Sequence, residues 1–194
     1  MSYAENRVTV AEFGTLPANS PLLVDVPTSP GHTQQRAHVL VAGRFVGMSV
    51  AAEKDLKFPL LVASGWRPHR WVSRQEYEQV LIQKYGSIAK GRLYLAFASP
   101  HETGLALDFS CGGLAPVSAT IPVQKQTPLF AWLKEHMWEF GFTPYLVEPW
   151  HIEMRLSLED YRTGKTTGGS IQSPAGEACE GTGVCETPHD WVSL

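Results

Sequence analysis

The chain has 194 residues, of which 43% are hydrophobic and 18% charged, with a formal net charge of −3 at pH 7. This length and composition predict one soluble globular domain with extensions, large enough to bury a core. Because the net charge is negative, the composition does not indicate the basic surface that binds nucleic acid, and we expect no nucleic acid partner. No segment reaches the ~20 apolar residues of a membrane span, and the N-terminus lacks the pattern of a cleaved secretion signal.

Prolines and glycines recur throughout residues 1–36, which predicts an arm packed on the domain rather than long regular elements. Short strands are expected within this arm at Val8–Phe13 and Leu22–Val26. The following stretch, Ala37–Lys54, is compatible with a hairpin because it contains β-branched residues. Its apolar residues recur at helical spacing, however, and this favours a helix.

The middle of the chain contains two predicted strands and one well-marked helix. Phe58–Ala63 is a short apolar run between turn residues, which is typical of a buried strand. Ser73–Tyr85 has the signature of a capped helix, with Ser73 and Glu76 as its capping box. Leu93–Ala98 is the second predicted strand.

A later helix is predicted to begin at Thr127-Pro128 and to end before Gly141. After it, Ile152 and Met154 alternate with polar residues, as in a half-buried strand. Together these elements predict an α+β fold with a small central, mostly antiparallel sheet and flanking helices. We expect the domain to span residues 37–161 and residues 162–194 to form a loosely held tail.

The chain contains three cysteines, Cys111, Cys179 and Cys185. The last two lie in the Gly-rich tail. A single disulfide between them and fully reduced thiols are both compatible with the sequence.

The candidate chemistry lies in two segments, Ser99–Asp108 and Glu148–His151. Strand alternation would turn Asp108 away from the core on one strand and His151 away from it on another. If those strands pair, both side chains enter one cleft, and His101 can join them from its loop. Three nitrogen or oxygen ligands leave one position of a tetrahedral zinc open, as in catalytic sites.

A helical zinc motif of the His-Glu-x-x-His type is excluded because the position of its second histidine is Leu105. The observed pattern is instead Ser-x-His-x-x-Gly-x-Ala-x-Asp followed by Glu-x-Trp-His. It resembles the VanY-like D-alanyl-D-alanine carboxypeptidases, within the lysostaphin, D-Ala-D-Ala peptidase and hedgehog group of zinc peptidases. The resemblance covers about residues 37–156 and includes Ser-Gly-Trp-Arg at 64–67, where the family has Ser-Gly-Tyr-Arg. The chain departs from the family pattern in the next four residues, 68–71.

The resemblance implies one Zn²⁺ per chain and a role for each matched residue. The implied metal ligands are His101, Asp108 and His151. The implied catalytic residues are Glu148, as the base that takes a proton from water, and Arg67, which stabilises charge on the substrate carbonyl. The implied substrate contacts are Ser64, Ser99 and Trp150. Glu102 and Glu153 are expected to support the ligands, and residues 69–71 either line the cleft or form a solvated loop.

The function implied by the resemblance is hydrolysis of peptidoglycan stem peptides, as a D,D-carboxypeptidase or an endopeptidase. A zinc-bearing binding module and a peptidase acting on a small non-wall peptide are the alternatives. Since the cell wall lies outside the cytoplasm, the absence of a visible signal suggests phage lysis or specialised secretion. The chain is expected to act as a monomer.

Overall fold

The computed structural model describes residues 6–93, 95–110 and 114–167. Within these ranges the α-helices are α1 Val10–Phe13, α2 Val39–Leu56, α3 Arg74–Tyr85, α4 Ile88–Gly91, α5 Ile121–Gln124, α6 Pro128–His136 and α7 Leu158–Thr163. The strands are β1 Leu23–Asp25, β2 Arg36–His38, β3 Val62–Ser64, β4 Ala106–Phe109, β5 Thr143–Pro144 and β6 His151–Glu153. Short 3-10 helices occupy Pro100–Thr103, Ser118–Thr120 and Met137–Phe140. No helix of the described residues is long and apolar enough to cross a membrane.

The strands form two antiparallel sheets. The main sheet has the order β3-β4-β6-β5, and β1 and β2 form a separate pair. One face of the main sheet packs into the core through Leu107, Phe109 and Ile152, each of them 0% exposed. The predicted α+β fold with a small antiparallel sheet and flanking helices is therefore confirmed.

Helix α2 is the longest helix and packs into the same core. Its buried stripe includes Val41, Phe45, Met48 and Ala52, which are spaced three or four residues apart. The helix prediction is confirmed over most of its length. The helix begins two residues later than expected because residues 36–38 pair with β1 as a strand.

Helix α3 begins where the capping box predicts. The Ser73 side chain accepts a hydrogen bond from the backbone N–H of Glu76 at 3.1 Å. Helix α6 likewise begins at Pro128, capped by Thr127, whose hydroxyl accepts from the N–H of Phe130 at 3.1 Å. Local capping chemistry therefore predicts both helix starts correctly.

Two predicted strands are wrong. Val8–Phe13 contains the single helical turn α1, in which the carbonyl of Thr9 accepts from the N–H of Phe13 at 3.1 Å. The described part of Leu93–Ala98 forms no strand, because its carbonyl groups bond to side chains instead of a neighbouring strand. Tyr77 donates to the carbonyl of Leu95 at 2.8 Å, and the Trp71 indole donates to that of Ala96 at 3.1 Å.

The strand predicted at Phe58–Ala63 exists but is shifted to Val62–Ser64. Leu60 is excluded from it because its N–H donates to the Ser49 hydroxyl of α2 at 2.9 Å. This contact joins the segment to the helix before it reaches the sheet.

The N-terminal residues pack directly into the main core. The buried members of this segment are Val8, Phe13, Leu16, Leu23 and Val26. Because β1 also pairs with β2, the contacts of the segment cross the predicted boundary at residue 36. Cys111, Cys179 and Cys185 lie outside the described residues.

Candidate metal centre and active-site cleft

The main sheet aligns three residues of the sequence motifs in one row. Ser64 on β3 is the register partner of Asp108 on β4, and Asp108 is the partner of His151 on β6. Directly opposed residues on antiparallel strands have neighbouring side chains on the same face. The pairing of the two motif strands, expected from their alternation, is therefore present.

His101 reaches this row from the 3-10 helix that precedes β4. The Glu102 carboxylate accepts from the backbone N–H of Ser99 at 2.8 Å and holds the start of this turn. The turn ends at Gly104, which has a φ of 74°. A side chain there would be strained, and its Cβ would lie 3.0 Å from the backbone nitrogen of His38. Gly104 is thus required to bring His101 onto the sheet.

The side chains of His101, Asp108 and His151 converge. Each offers one ligand atom, and these atoms lie within 4.8 Å of one another. His101 Nε2 is 3.3 Å from Asp108 Oδ2, and His151 Nδ1 is 2.8 Å from Asp108 Oδ1. His101 is 1% exposed and His151 7%.

The second nitrogen of each imidazole is bound by the protein. His101 Nδ1 donates to the carbonyl of Gly65 at 2.8 Å, and His151 Nε2 donates to Glu153 Oε1 at 3.0 Å. These hydrogen bonds orient His101 Nε2 and His151 Nδ1 toward Asp108. Two imidazole nitrogens and one carboxylate, with the outer nitrogens held in this way, form a donor set that fits Zn²⁺.

Burial and charge pairing together set the pKa values of the three residues. Burial raises the pKa of Asp108, but His101 and His151 outweigh it, so that the pKa is lowered overall. Burial lowers the pKa of His101, and Asp108 only partly opposes this effect. For His151 burial also acts to lower the pKa, but the hydrogen bonds and charges of Asp108 and Glu153 raise it to about 9.

Glu148 lies on the tight turn between β5 and β6. Its N–H donates to the carbonyl of Tyr145 at 2.9 Å, and its carbonyl accepts from the N–H of His151 at 3.0 Å. The side chain is half-buried and lines the cleft that contains the three converging residues. Burial raises its pKa, Asp108 adds to the rise, and His151 and Arg67 oppose it. A carboxylate with a raised pKa is suited to accept a proton and return it near neutral pH.

Arg67 is held at the mouth of the cleft by the two predicted serines. Its guanidinium donates to Ser64 Oγ at 3.2 Å and to Ser99 Oγ at 3.3 Å. Ser99 and Trp150 line the cleft, whereas Ser64 does not. The structure shows that Ser64 contacts Arg67, and its predicted contact with substrate stays a prediction.

Gly65 permits the close approach on which this region depends. A Cβ atom at this position would lie 2.3 Å from the carbonyl oxygen of Arg36. In the same backbone segment, the Gly65 carbonyl accepts from His101 Nδ1, and the N–H of Trp66 donates to the carbonyl of Arg36 at 2.6 Å. Glycine in the Ser-Gly-Trp-Arg segment is thus explained by sterics.

Two buried glutamates connect the motif residues to distant parts of the chain. Glu102 accepts from His69 Nδ1 at 3.0 Å and from the Thr15 hydroxyl at 3.0 Å. Glu153 accepts from the backbone N–H of Val8 at 2.7 Å. Both carboxylates were expected to support the ligands, but the sequence contains no signal for the N-terminal residues that hold them.

The cleft has a volume of about 420 Å³, which can accommodate part of a peptide. It is lined by the three converging residues, Glu148, Trp150 and several arginines. Of those arginines only Arg67 was identified from the sequence motifs. Arg70 was expected either in the cleft or in a solvated loop, and the structure places it in the lining together with Arg7 and Arg92.

No protein-family model and no curated protein matches the chain. Among solved structures it is similar to the LdcB LD-carboxypeptidase, whose structure reveals the basis of peptidoglycan recognition. The identity is 25% and the TM-score 0.56, over 76% of this chain and 81% of that one.

Two VanY structures are similar at lower scores. One is a variant of the vancomycin resistance D,D-pentapeptidase VanY in complex with Zn(II), with 22% identity and a TM-score of 0.46 over 77% of this chain and 89% of that one. The other is VanYB in complex with D-alanine-D-alanine, with 22% identity and a TM-score of 0.47 over 77% and 88%. These two scores are too low to support an argument.

The similarity to LdcB covers most of both chains and is independent of the motif comparison. The resemblance that the motifs indicate is therefore confirmed at the level of the fold. This chain has the α+β fold of a peptidoglycan carboxypeptidase.

Proposed function

We propose that the protein is a zinc-dependent peptidase that hydrolyses peptidoglycan stem peptides. The observation that carries this proposal is the convergence of His101, Asp108 and His151 in a cleft that also contains Glu148 and Arg67. The likeness to LdcB supports a cell-wall peptide as the substrate. We retain the three converging residues as the metal ligands and one ion per chain.

Bound zinc supplies a Lewis acid that lowers the pKa of water from ~15.7 to ~7. Glu148 then takes a proton from the attacking water and delivers it to the departing amine. Burial raises the pKa of Glu148, which strengthens the carboxylate as the base that accepts this proton. Arg67 points its guanidinium toward the cleft and stabilises negative charge on the substrate carbonyl oxygen.

Three bonds are candidates for cleavage. The family resemblance favours the terminal D-Ala-D-Ala bond or an internal cross-link, as for a D,D-carboxypeptidase or endopeptidase. The likeness to LdcB favours instead the L,D bond, as for an LD-carboxypeptidase. Pentapeptide, tetrapeptide and cross-linked muropeptides distinguish these activities by the fragment that each one releases.

The test is mass spectrometry of muropeptides digested with and without a chelator, using the wild type and Glu148→Gln. We expect a chelator-sensitive product from the wild type and a loss of about 10²–10⁴-fold in rate for the variant, with unchanged zinc content. The exposed Glu135 of α6 provides the control Glu135→Gln, which should retain the wild-type rate. Turnover that resists chelation, or a fully active Glu148→Gln, would contradict the proposal.

A further inference from the structure

The cleft has a basic wall that the proposed chemistry does not use. Arg70 and Arg92 line it beside Arg67, and Arg7 lines it as well. All four side chains are exposed. Arg70 belongs to residues 68–71, where the sequence departs from the family pattern after Arg67.

The carboxylates of the cleft do not neutralise this wall. Glu102, Asp108 and Glu153 are engaged by histidines at 2.8–3.3 Å. Arg92 pairs with Glu78 at 3.4 Å. Within residues 6–93, 95–110 and 114–167, the other three arginines form no ion pair with a carboxylate. Among the described residues that line the cleft, one carboxylate without an ion pair, Glu148, stands against three such arginines, so the unpaired charges are predominantly positive.

Arg70 is oriented by a buried aromatic ring. Its guanidinium carbon lies 4.6 Å from the ring centroid of Trp71, which is 7% exposed. The Trp71 indole is fixed by its hydrogen bond to the carbonyl of Ala96 and by edge-on packing against Tyr77 at 5.1 Å. Stacking of this kind leaves the N–H groups in the guanidinium plane free, in the fork that binds a carboxylate with two hydrogen bonds.

Arg70 and Arg67 act on different parts of the cleft. Arg67 donates to Ser64, the register partner of Asp108, and its backbone N–H donates to the carbonyl of His101 at 3.4 Å. Arg70 stacks instead on Trp71, which belongs to a hydrophobic cluster separate from the main core. Arg67 is therefore joined to the converging residues, whereas Arg70 belongs to a different part of the cleft lining.

We propose that Arg70, stacked on Trp71, binds a second carboxylate of the peptide substrate, away from the amide that is cleaved. The inference rests on the proposed function and specifies its substrate class: an acidic stem peptide. Two stem-peptide positions can supply this group. They are the α-carboxylate of the γ-linked D-glutamate and the side-chain carboxylate of a diaminopimelate that replaces lysine.

The experiment measures kcat and KM for three synthetic stem peptides with the zinc-loaded full chain. One peptide has D-glutamate and diaminopimelate, the second has lysine in place of diaminopimelate, and the third has D-glutamate amidated to isoglutamine. We expect about tenfold lower kcat/KM when the recognised carboxylate is absent, chiefly through KM, as for one exposed charge-assisted contact. The peptide that loses activity identifies the source of the carboxylate.

Arg70→Gln should abolish this preference, and Arg70→Lys should restore part of it, because lysine keeps the charge but not the fork. Arg162→Gln, an exposed arginine on α7 outside the cleft lining, is the matched control and should keep the wild-type preference. Zinc content and circular dichroism verify that each variant is folded.

Equal kcat/KM for all three peptides, or a preference that survives in Arg70→Gln, overturns the inference while leaving the proposed function intact. Absence of hydrolysis of every peptide by the zinc-loaded wild type overturns both.

Discussion

The two sides of the cleft handle charge in opposite ways. On the sheet side, Glu153 is buried and Asp108 is partly buried, and each carboxylate contacts a histidine. On the loop side, Arg67 and Arg70 are exposed and form no ion pair with a carboxylate of the described residues. Burial of an unpaired charge is costly, so the sheet side requires its partners. Water solvates the loop side, so its arginine side chains can stay unpaired and available to a ligand.

The difference separates two tasks within one cleft. In the proposed function, the paired groups on the strands would hold a metal ion in a fixed geometry, because their hydrogen bonds orient them in advance. The exposed arginines at the rim would attract and orient an anionic peptide without a large desolvation cost. Substitutions on the sheet side should therefore change metal affinity, and those on the loop side should change catalysis or substrate choice at constant metal content.

Among the substitutions that distinguish the two sides, the largest effect is expected for Arg67→Gln, on the loop side. Loss of a donor that stabilises the developing charge should lower kcat by about 10²–10³-fold. Zinc content should stay at the wild-type level, since Arg67 is not among the proposed ligands. Steady-state kinetics together with metal analysis measure both quantities, and Arg162→Gln is the control. A loss of zinc in Arg67→Gln would contradict the separation of the two sides.

A smaller effect is expected for Glu153→Gln, on the sheet side. The amide keeps the size of the side chain but removes the charge that orients His151, which should weaken zinc binding by about 10–100-fold. Competition with a chromogenic chelator measures the affinity, and Glu135→Gln is the matched control. Saturating zinc should restore most of the activity. Unchanged zinc affinity would show that Glu153 does not position His151.

The smallest effect concerns the pH dependence of stability in the metal-free protein. The pKa of His151 is raised from its ordinary 6.5 to about 9 by Asp108 and Glu153, against the effect of burial. Below pH 6.5 the folded and unfolded states both hold the proton, so the stabilisation is fully present. Between pH 6.5 and about 9 only the folded state retains it, and the free energy of unfolding should fall as the pH rises.

Urea unfolding at pH 6, 7.5 and 9 in the presence of chelator measures this decline. His151→Gln should flatten it, whereas His32→Gln, which alters an exposed histidine, should retain it. An equal decline in His151→Gln would assign the pH dependence to other groups.

Much of the fold could be predicted from local patterns. Helices α2, α3 and α6 follow from apolar spacing and from caps such as Ser73 and Thr127, because these signals lie within a few residues of one another. Two of the strand predictions were wrong. Val8–Phe13 and Leu93–Ala98 have strand-like composition, but a strand needs a partner, and the structure provides none at the described residues of either segment.

The candidate site likewise divides into residues that the sequence indicated and residues that only the structure connects to it. The motifs alone indicated His101, Asp108, His151, Glu148 and Arg67, and the structure brings these five into one cleft. Thr15, Val8, Arg7 and Arg92 could not be connected to the site from the sequence, because they lie far from the motifs along the chain and carry no spacing signal. The hydrogen bond between Ser64 and Arg67 is a contact that the motif alone did not predict.

By itself, the sequence determined the candidate residues of the site and the strand faces they occupy, since alternation along a strand is a local property. Only the tertiary structure decided how those faces meet. The register that aligns Ser64, Asp108 and His151 depends on pairing between strands about forty residues apart. The contacts of N-terminal residues with Glu102 and Glu153 likewise depend on long-range packing. So does the unpaired state of Arg70, because the position of each group is set by the whole core.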